Sequence, residues 1–146
     1  MTESKTLSGG CLCGSVRFTA APREHEYGAC HCDSCRRWAG GPFMAIPCGR
    51  TLKIEGDAHL GTYRSSEWAE RCFCNKCGTS LFFKLVGNGQ YNVSTEAFDD
   101  NSDFEMVIQY FIDEKPSHYA FANDTKKMTG AELYALFAGP DATRGS

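Results

Sequence analysis

The sequence predicts a mostly β domain with one or two short helices. Fifteen glycines and ten phenylalanines in 146 residues favour strands that are joined by tight turns. Short apolar or alternating segments recur along the chain, and Gly, Pro, Asn or Asp bounds each of them, as is typical of short strands. The length fits one domain, and we expect residues 1–146 to form a single domain whose core covers about residues 7–138.

Eight segments carry the strand pattern. They are Ser15–Ala20, Tyr27–His31, Phe43–Ile46, Leu52–Glu55, Leu60–Arg64, Ser80–Val86, Tyr91–Ser94 and Met106–Ile112. The segment Gly87-Asn88-Gly89 lies between two of these strands, and its residues tolerate positive φ angles. The sequence therefore predicts a hairpin turn there.

Two segments carry helical signals. The first is Asp33–Ala39, with Asp33 or Ser34 as its cap. The second is Gly130–Ala138, which Thr129 would cap and which has an acidic residue, Glu132, in its first turn. We expect its apolar stripe to consist of Leu133, Leu136 and Phe137.

Charge and hydropathy exclude several classes of function. The formal net charge is −3, from 15 basic and 18 acidic residues, so the chain lacks the basic surface of a nucleic-acid-binding domain. No stretch has the length of a membrane span, and the first residues contain no apolar signal segment. We therefore expect a cytoplasmic protein. In that reducing compartment nine cysteines, an odd number, favour metal binding over disulfides.

Seven of the nine cysteines fall into three groups with metal-ligand spacing. They are Cys11-Leu-Cys13, Cys30-His-Cys32-Asp-Ser-Cys35 and Cys74-Asn-Lys-Cys77. In an extended chain residues i and i+2 lie on one face, so a Cys-x-Cys pair presents two thiols to one ion. A Cys-x-x-Cys pair does so through a tight turn, and the glycine after Cys77 suits the knuckle of a zinc ribbon.

One pairing of these groups accounts for two zinc ions per chain. Cys11 and Cys13 together with Cys74 and Cys77 make a closed, structural four-thiolate site. The remaining group has three thiolates and an open fourth position, which is the pattern of a reactive zinc. Its members are Cys30, Cys32 and Cys35.

Other arrangements remain open on the sequence alone. All the thiols could form one structural cluster, or Cys48, Cys72 or a histidine could complete either site. Cys72 alternates with Cys74 and could share its face. Alternation turns His31 away from the metal of its neighbours, so we interpret it as a packed or hydrogen-bonded side chain. Cys48 follows a proline and is interpreted as a small buried hydrophobic residue.

The cysteine motifs and their flanks resemble the glutathione-dependent formaldehyde-activating enzyme family, which also contains centromere protein V-like members. The matching segments are Gly9-Gly10-Cys11-Leu12-Cys13-Gly14-Ser15-Val16-Arg17-Phe18, Cys30-His31-Cys32-Asp33-Ser34-Cys35-Arg36-Arg37 and Arg71-Cys72-Phe73-Cys74-Asn75-Lys76-Cys77-Gly78-Thr79-Ser80-Leu81-Phe82. Near the C-terminus, where family members often carry Pro followed by Trp, this chain has Pro116-Ser117-His118-Tyr119.

The resemblance implies an Mss4-like fold, in which β-sheets are built around a zinc ribbon. It assigns one zinc, the structural one, to Cys11, Cys13, Cys74 and Cys77. It assigns a second, catalytic zinc to Cys30, Cys32 and Cys35. The reaction of the family joins glutathione and formaldehyde to S-hydroxymethylglutathione, and the family is classed among carbon–sulfur lyases.

The sequence thus leads to one main hypothesis and one alternative. The main hypothesis is a zinc-dependent carbon–sulfur lyase that acts on a small thiol adduct, with glutathione as the candidate thiol and no nucleic-acid or membrane partner. Arg36 and Arg37 either attract a carboxylate of that substrate or are solvated charges at a helix start. The alternative is a non-catalytic zinc scaffold that binds another protein. A fourth protein ligand beside Cys30, Cys32 and Cys35 would favour the scaffold.

Overall fold

The computed structural model of the chain describes residues 5–138. The chain divides into two compact units. One unit is Met1–Tyr27 with Met44–Glu105, and the other is Gly28–Phe43 with Met106–Ser146. That the whole chain forms a single domain stays a prediction. No helix among the described residues is long and apolar enough to cross a lipid bilayer.

Three strands of the first unit form an antiparallel sheet in the order β1-β2-β5. They are β1 at Leu7–Gly10, β2 at Arg17–Ala20 and β5 at Lys53–Glu55. Phe18 of β2 is buried, and its ring packs edge to face against Phe82 at 5.3 Å and Phe98 at 5.2 Å between ring centroids. This aromatic cluster is the centre of the apolar core of the unit.

Five further strands pair in antiparallel fashion in the order β4-β9-β8-β7-β6. They are β4 at Phe43–Gly49, β6 at Leu60–Arg64, β7 at Ala69–Cys74, β8 at Ser80–Leu85 and β9 at Tyr91–Ser94. The predicted hairpin turn between β8 and β9 is confirmed. The N–H of Leu85 donates to the carbonyl of Gln90 at 2.8 Å, and Gly89 has a φ of 71°.

The second unit combines strands and both helices. Its elements are β3 at Glu26–Cys30, α1 at Asp33–Ala39, β10 at Glu105–Tyr110, β11 at Lys126–Met128 and α2 at Gly130–Ala138. The strands lie in the order β11-β10-β3, and β10 and β11 run parallel. A 3₁₀ turn at Ile112–Glu114 follows β10.

Both helices have the predicted bounds, whereas the predicted cap of α1 and the predicted apolar stripe of α2 differ from the structure. The cap of α1 is Cys32, not Asp33 or Ser34, because the Sγ of Cys32 accepts the N–H of Cys35 at 3.4 Å. In α2 the predicted stripe is wrong at Leu136, which is 67% exposed. The side chain of Phe137 lies outside the described residues.

The predicted cap of α2 is confirmed and is reciprocal. The N–H of Glu132 donates to Oγ1 of Thr129 at 3.1 Å, and the N–H of Thr129 donates to Oε1 of Glu132 at 2.8 Å. Such a capping box satisfies two amide groups that the first helical turn leaves without partners.

The mostly β class is confirmed, and each of the eight predicted strands has a counterpart. Two of them, β6 and β9, have the predicted ends, and the other six differ slightly at one or both ends. Among the described residues, the sequence analysis did not predict strands β1, β7 and β11. Half of β1 is glycine, and two of the three residues in β11 are lysines. Strand β7 ends in the metal-binding motif, and only its pairing with β6 and β8 identifies it as a strand.

Candidate metal centres

The first candidate centre lies in the first unit and consists of four cysteines. The Sγ atoms of Cys11, Cys13, Cys74 and Cys77 all lie within 4.8 Å of one another. Two of the distances are 3.6 Å, from Cys11 to Cys13, and 3.7 Å, from Cys13 to Cys74. A tetrahedron with zinc–sulfur bonds of about 2.3 Å has edges of about 3.8 Å. The four thiols therefore fit one zinc ion.

Tight turns bring each cysteine pair into this position. Gly14 and Gly78 follow the two pairs and have φ angles of 83° and 81°, a backbone conformation that residues with a Cβ rarely adopt. The N–H of Gly78 donates to the carbonyl of Cys74 at 2.8 Å, and the N–H of Cys77 points at the Sγ of Cys74 at 3.4 Å. The predicted knuckle after Cys77 is confirmed.

Neighbouring hydroxyl groups favour the thiolate forms of Cys13 and Cys77, whereas burial raises the pKa of Cys74. Oγ1 of Thr79 lies 3.1 Å from the Sγ of Cys77 and accepts the N–H of Leu12 at 3.0 Å. The hydrogen bond from Thr79 lowers the pKa of the Cys77 thiol to about 5. A hydrogen bond from Ser15 lowers the pKa of Cys13. Thiolates are the form that binds zinc.

The second candidate centre lies in the second unit and consists of three cysteines. The Sγ atoms of Cys30, Cys32 and Cys35 lie within 4.8 Å of one another. Cys30 is the last residue of β3, Cys32 caps α1, and Cys35 lies on its first turn. Among residues 5–138, no other Cys, His, Asp or Glu joins this group.

The chemistry of the three thiols also fits a metal cation. Hydrogen bonds with the thiols of Cys32 and Cys35, and then burial, raise the pKa of Cys30 well above its ordinary value. Three sulfur atoms at such short separation cannot all ionise unless a cation balances their charge. Three protein ligands with an open fourth position are the arrangement of catalytic zinc sites.

Three tyrosines lie close to the second centre. Burial raises the pKa of Tyr110, Tyr119 and Tyr134, and negative charge at Cys30 adds to the rise for each of them. Their hydroxyl groups are therefore near enough to interact electrostatically with the thiols. The sequence did not single out Tyr110 or Tyr134, and Tyr119 stood only in the segment that departs from the family pattern.

His31 lies between two of the candidate ligands and is fully buried. Its Nδ1 is 2.8 Å from the hydroxyl oxygen of Tyr119, and its Nε2 is 2.7 Å from Oε1 of Gln109. Burial lowers the pKa of the imidazole, which favours the neutral ring. The interpretation of His31 as a packed, hydrogen-bonded side chain is confirmed.

The two arginines after the last ligand have different surroundings. Arg36 is half-buried, and its Nε donates to the carbonyl of His31 at 2.9 Å. The side chain of Arg37 is 83% exposed and lies 3.5 Å from a carboxylate oxygen of Asp33. Arg36 thus supports the cysteine loop, whereas Arg37 faces solvent.

The two remaining cysteines lie in the apolar core of the first unit. Cys48 is 2% exposed and Cys72 is 3% exposed, and neither belongs to a cysteine group that could hold a metal. Burial raises the pKa of Cys48 to about 12, so its thiol stays protonated. The interpretation of Cys48 as a buried hydrophobic residue is confirmed.

Comparison with known proteins gives a family match, a yeast relative and a similar fold. The profile of the family described as "Glutathione-dependent formaldehyde-activating enzyme" matches residues 6–114. An uncharacterized lyase of Schizosaccharomyces pombe is 36% identical over 126 residues, which cover 86% of this chain and 92% of the yeast protein. A crystal structure of a Rhodobacter sphaeroides protein aligns with a TM-score of 0.57 at 21% identity, over 69% of this chain and 100% of that one. The last similarity concerns the fold alone.

Proposed function

Because the chain belongs to the glutathione-dependent formaldehyde-activating enzyme family, we propose that it is a zinc-dependent carbon–sulfur lyase that acts on a small thiol adduct. The proposed adduct is S-hydroxymethylglutathione, which forms from glutathione and formaldehyde. Its yeast relative is described as a lyase, which supports a reaction of this class. We place the protein in the cytoplasm, where a reducing environment keeps seven ligand thiols available.

One observation carries this proposal: the second group offers three thiols and, among the described residues, no fourth protein ligand. A closed zinc site has four protein ligands, and a catalytic site keeps one position for water or substrate. Cys48 and Cys72, the cysteines that could have closed the site, belong to neither cysteine group. The first group, with four thiols, is the structural zinc site in this proposal.

The proposed reaction involves no change of oxidation state. In the direction of synthesis a bond forms between the thiol sulfur and the carbonyl carbon of formaldehyde. The π electrons of the carbonyl group move to its oxygen, which takes up the proton that the thiol releases. Zinc held by Cys30, Cys32 and Cys35 would supply Lewis acidity and favour the thiolate form of the substrate at neutral pH.

The side chains around the second centre support binding of an anionic thiol. Arg37 is exposed two residues after Cys35, on the same short helix, and can attract a substrate carboxylate. Arg36 cannot move freely toward such a group, because it bonds the carbonyl of His31. The half-buried Cys30 and Cys32 remain accessible from solvent, while Cys35 is buried.

Zinc analysis and a direct assay of the adduct test the proposal. We expect two zinc ions per chain in the parent protein and about one in Cys32→Ser, which should keep its fold but lose adduct formation. Adduct formation is followed by NMR with isotope-labelled formaldehyde and glutathione. Cys48→Ala is the matched control, since it removes a cysteine that belongs to neither group and should keep both zinc ions. A parent protein that binds two zinc ions but forms no adduct would favour the scaffold alternative.

A further inference from the structure

We propose that His31 is a positioning residue of the second cysteine centre and that Tyr119 and Gln109 fix its orientation and tautomer. This inference rests on the proposed function for its catalytic relevance. The residues involved contact one another directly, so the affinity for a metal ion and the protonation of the His31 ring nitrogens can both be measured without an activity assay.

The tautomer follows from a chain of hydrogen bonds. The amide nitrogen of Gln109 donates to Oγ1 of Thr125 at 2.9 Å, so the amide oxygen of Gln109 faces His31. That oxygen can only accept, and Nε2 of His31 therefore carries the proton. The lone pair of Nδ1 then accepts the hydroxyl proton of Tyr119. All three hydrogen bonds therefore point the same way: Tyr119 donates to His31, His31 donates to Gln109, and Gln109 donates to Thr125.

The main chain of His31 is held as firmly as its ring. Its N–H donates to the carbonyl of Tyr110 at 3.0 Å, and its carbonyl accepts from Nε of Arg36 at 2.9 Å. His31, which lies between Cys30 and Cys32 in the sequence, thus makes four hydrogen bonds. Because both neighbours share peptide groups with His31, restraint of this residue restrains the directions of both thiols. Ligands held in advance lose less conformational entropy when a metal binds.

The segment from Tyr110 to Tyr119 supplies two of these four hydrogen bonds, through the carbonyl of Tyr110 and the hydroxyl of Tyr119. Phe111 adopts a φ of 55°, which is rare for a residue with a Cβ and which turns the chain at the end of β10. Beyond this turn, Oε1 of Glu114 accepts the N–H of Asp33 at 2.9 Å, at the first turn of α1. The segment therefore contacts the cysteine loop on both sides of Cys32.

Further contacts keep Tyr119 in place. The ammonium group of Lys115 donates to the carbonyl of Pro116 at 2.8 Å and to the carbonyl of Tyr119. The rings of Tyr119 and Phe121 pack against the imidazole of His31 at 5.5 and 5.8 Å between centroids. The Tyr119 hydroxyl therefore has little freedom to leave Nδ1.

Stepwise titration with Co²⁺ tests the positioning role, because bound Co²⁺ reports sulfur ligands by its absorption. In the parent protein we expect two classes of thiolate site. In Tyr119→Phe, which keeps the ring and removes the hydroxyl, we expect Co²⁺ affinity at the second centre to fall by up to about 10-fold. This is the lower end of the loss seen when a hydrogen-bond partner of a metal ligand is removed, because Tyr119 acts on the ligands only through His31. Affinity at the first centre should stay unchanged and serves as the internal reference. Tyr63→Phe is the matched control, since Tyr63 is 65% exposed on β6 of the first unit.

Nitrogen NMR of the imidazole in the zinc-loaded protein is the second readout and needs no substrate. We expect Nε2 of His31 to be protonated in the parent protein, and the Nδ1 signal to shift in Tyr119→Phe together with the amide signals of Cys30 and Cys32. A proton on Nδ1, or unchanged cysteine amide signals in Tyr119→Phe, would overturn the inference. Adduct formation with unchanged Co²⁺ affinity in Tyr119→Phe would overturn it while the proposed function stands. A parent protein without lyase activity but with the expected NMR and Co²⁺ shifts would leave the inference standing and reject the proposed function.

Discussion

The Sγ atoms of Cys13 and Cys74 lie 3.7 Å apart although 61 positions separate the two residues in the chain. Cys13 lies in the turn between β1 and β2, and Cys74 ends β7. A zinc ion at this place would cross-link the first sheet of the unit to the β7–β8 turn. Closure of so long a loop by packing alone is entropically costly, so metal binding and folding of this unit should be coupled.

The first prediction follows from this coupling: Cys74→Ser should unfold the first unit. Zinc binding to four-ligand sites contributes about 10–16 kcal/mol in zinc-finger peptides, which is comparable to the whole stability of a typical domain. Near-UV circular dichroism and a thermal melt should both lose the cooperative signal of the parent protein. Cys72→Ala is the control, because Cys72 is equally buried on the same strand but belongs to neither group. If Cys74→Ser kept its melt and two zinc ions, the structural assignment of this centre would be wrong.

The second prediction concerns the knuckle glycine. Gly78 has a φ of 81°, and its Cβ position is free of neighbours, so Gly78→Ala introduces backbone strain without a steric clash. We expect a loss of about 1–2 kcal/mol in the free energy of unfolding, measured by denaturant titration of the zinc-loaded protein. Gly87→Ala is the matched control. The Cβ position of Gly87 is equally open, but its φ lies outside the positive range, so this substitution should change the free energy of unfolding little. Equal effects of the two substitutions would contradict the role of the positive φ.

The third prediction concerns Thr79, whose hydroxyl bridges the two halves of the first centre. Its oxygen lies 3.1 Å from the Sγ of Cys77 and accepts the N–H of Leu12 at 3.0 Å. Thr79→Val keeps the shape and removes both bonds, and we expect zinc affinity at this centre to fall at least about 10-fold. Competition with a chromophoric chelator measures the affinity. Thr62→Val, at an exposed position of β6, should leave the zinc affinity unchanged. A Thr79→Val affinity equal to the parent value would show that the bridge is dispensable.

The cysteine groups could be predicted because their spacing is local and their chemistry is specific. Strand alternation explained why His31 turns away from Cys30 and Cys32, and the structure buries its ring as expected. Both predictions depend on a few neighbouring residues. The pairing of residues near position 12 with residues near position 75 is a long-range contact. It came from the ligand count that zinc prefers and from the family resemblance, and the structure brings these four sulfur atoms together.

The surroundings of the second centre could not be predicted in the same way. Tyr119 lies 88 positions from His31 and Gln109 lies 78 positions away, so only the tertiary fold brings them together. The cap of α1 was mispredicted because a cysteine Sγ occupies the place where Asp or Ser oxygens are favoured. The spacing of Leu136 predicts that it belongs to an apolar stripe, yet its side chain is exposed, because helical spacing does not determine what covers a face.

The last prediction separates the two arginines that follow the second centre. Arg37 is exposed, and Arg37→Gln should raise the KM for glutathione about 2- to 5-fold with an unchanged kcat, as expected when one exposed ion pair is lost. The effect should shrink at high salt, because exposed charges are screened. Arg36→Gln removes the bond to the carbonyl of His31, and we expect it to weaken metal binding at the second centre. Arg23→Gln, an exposed substitution in the first unit, is the control for both.

Initial-rate kinetics at two salt concentrations and Co²⁺ titration provide the two readouts for these variants. Arg37→Gln should move only the KM, and Arg36→Gln should move the Co²⁺ affinity of the second centre while the first centre keeps its own. The two variants should differ because the guanidinium of Arg37 faces solvent, whereas that of Arg36 donates a hydrogen bond to the carbonyl of His31. If Arg37→Gln altered Co²⁺ affinity and Arg36→Gln altered only the KM, the assignment of the two side chains would be reversed.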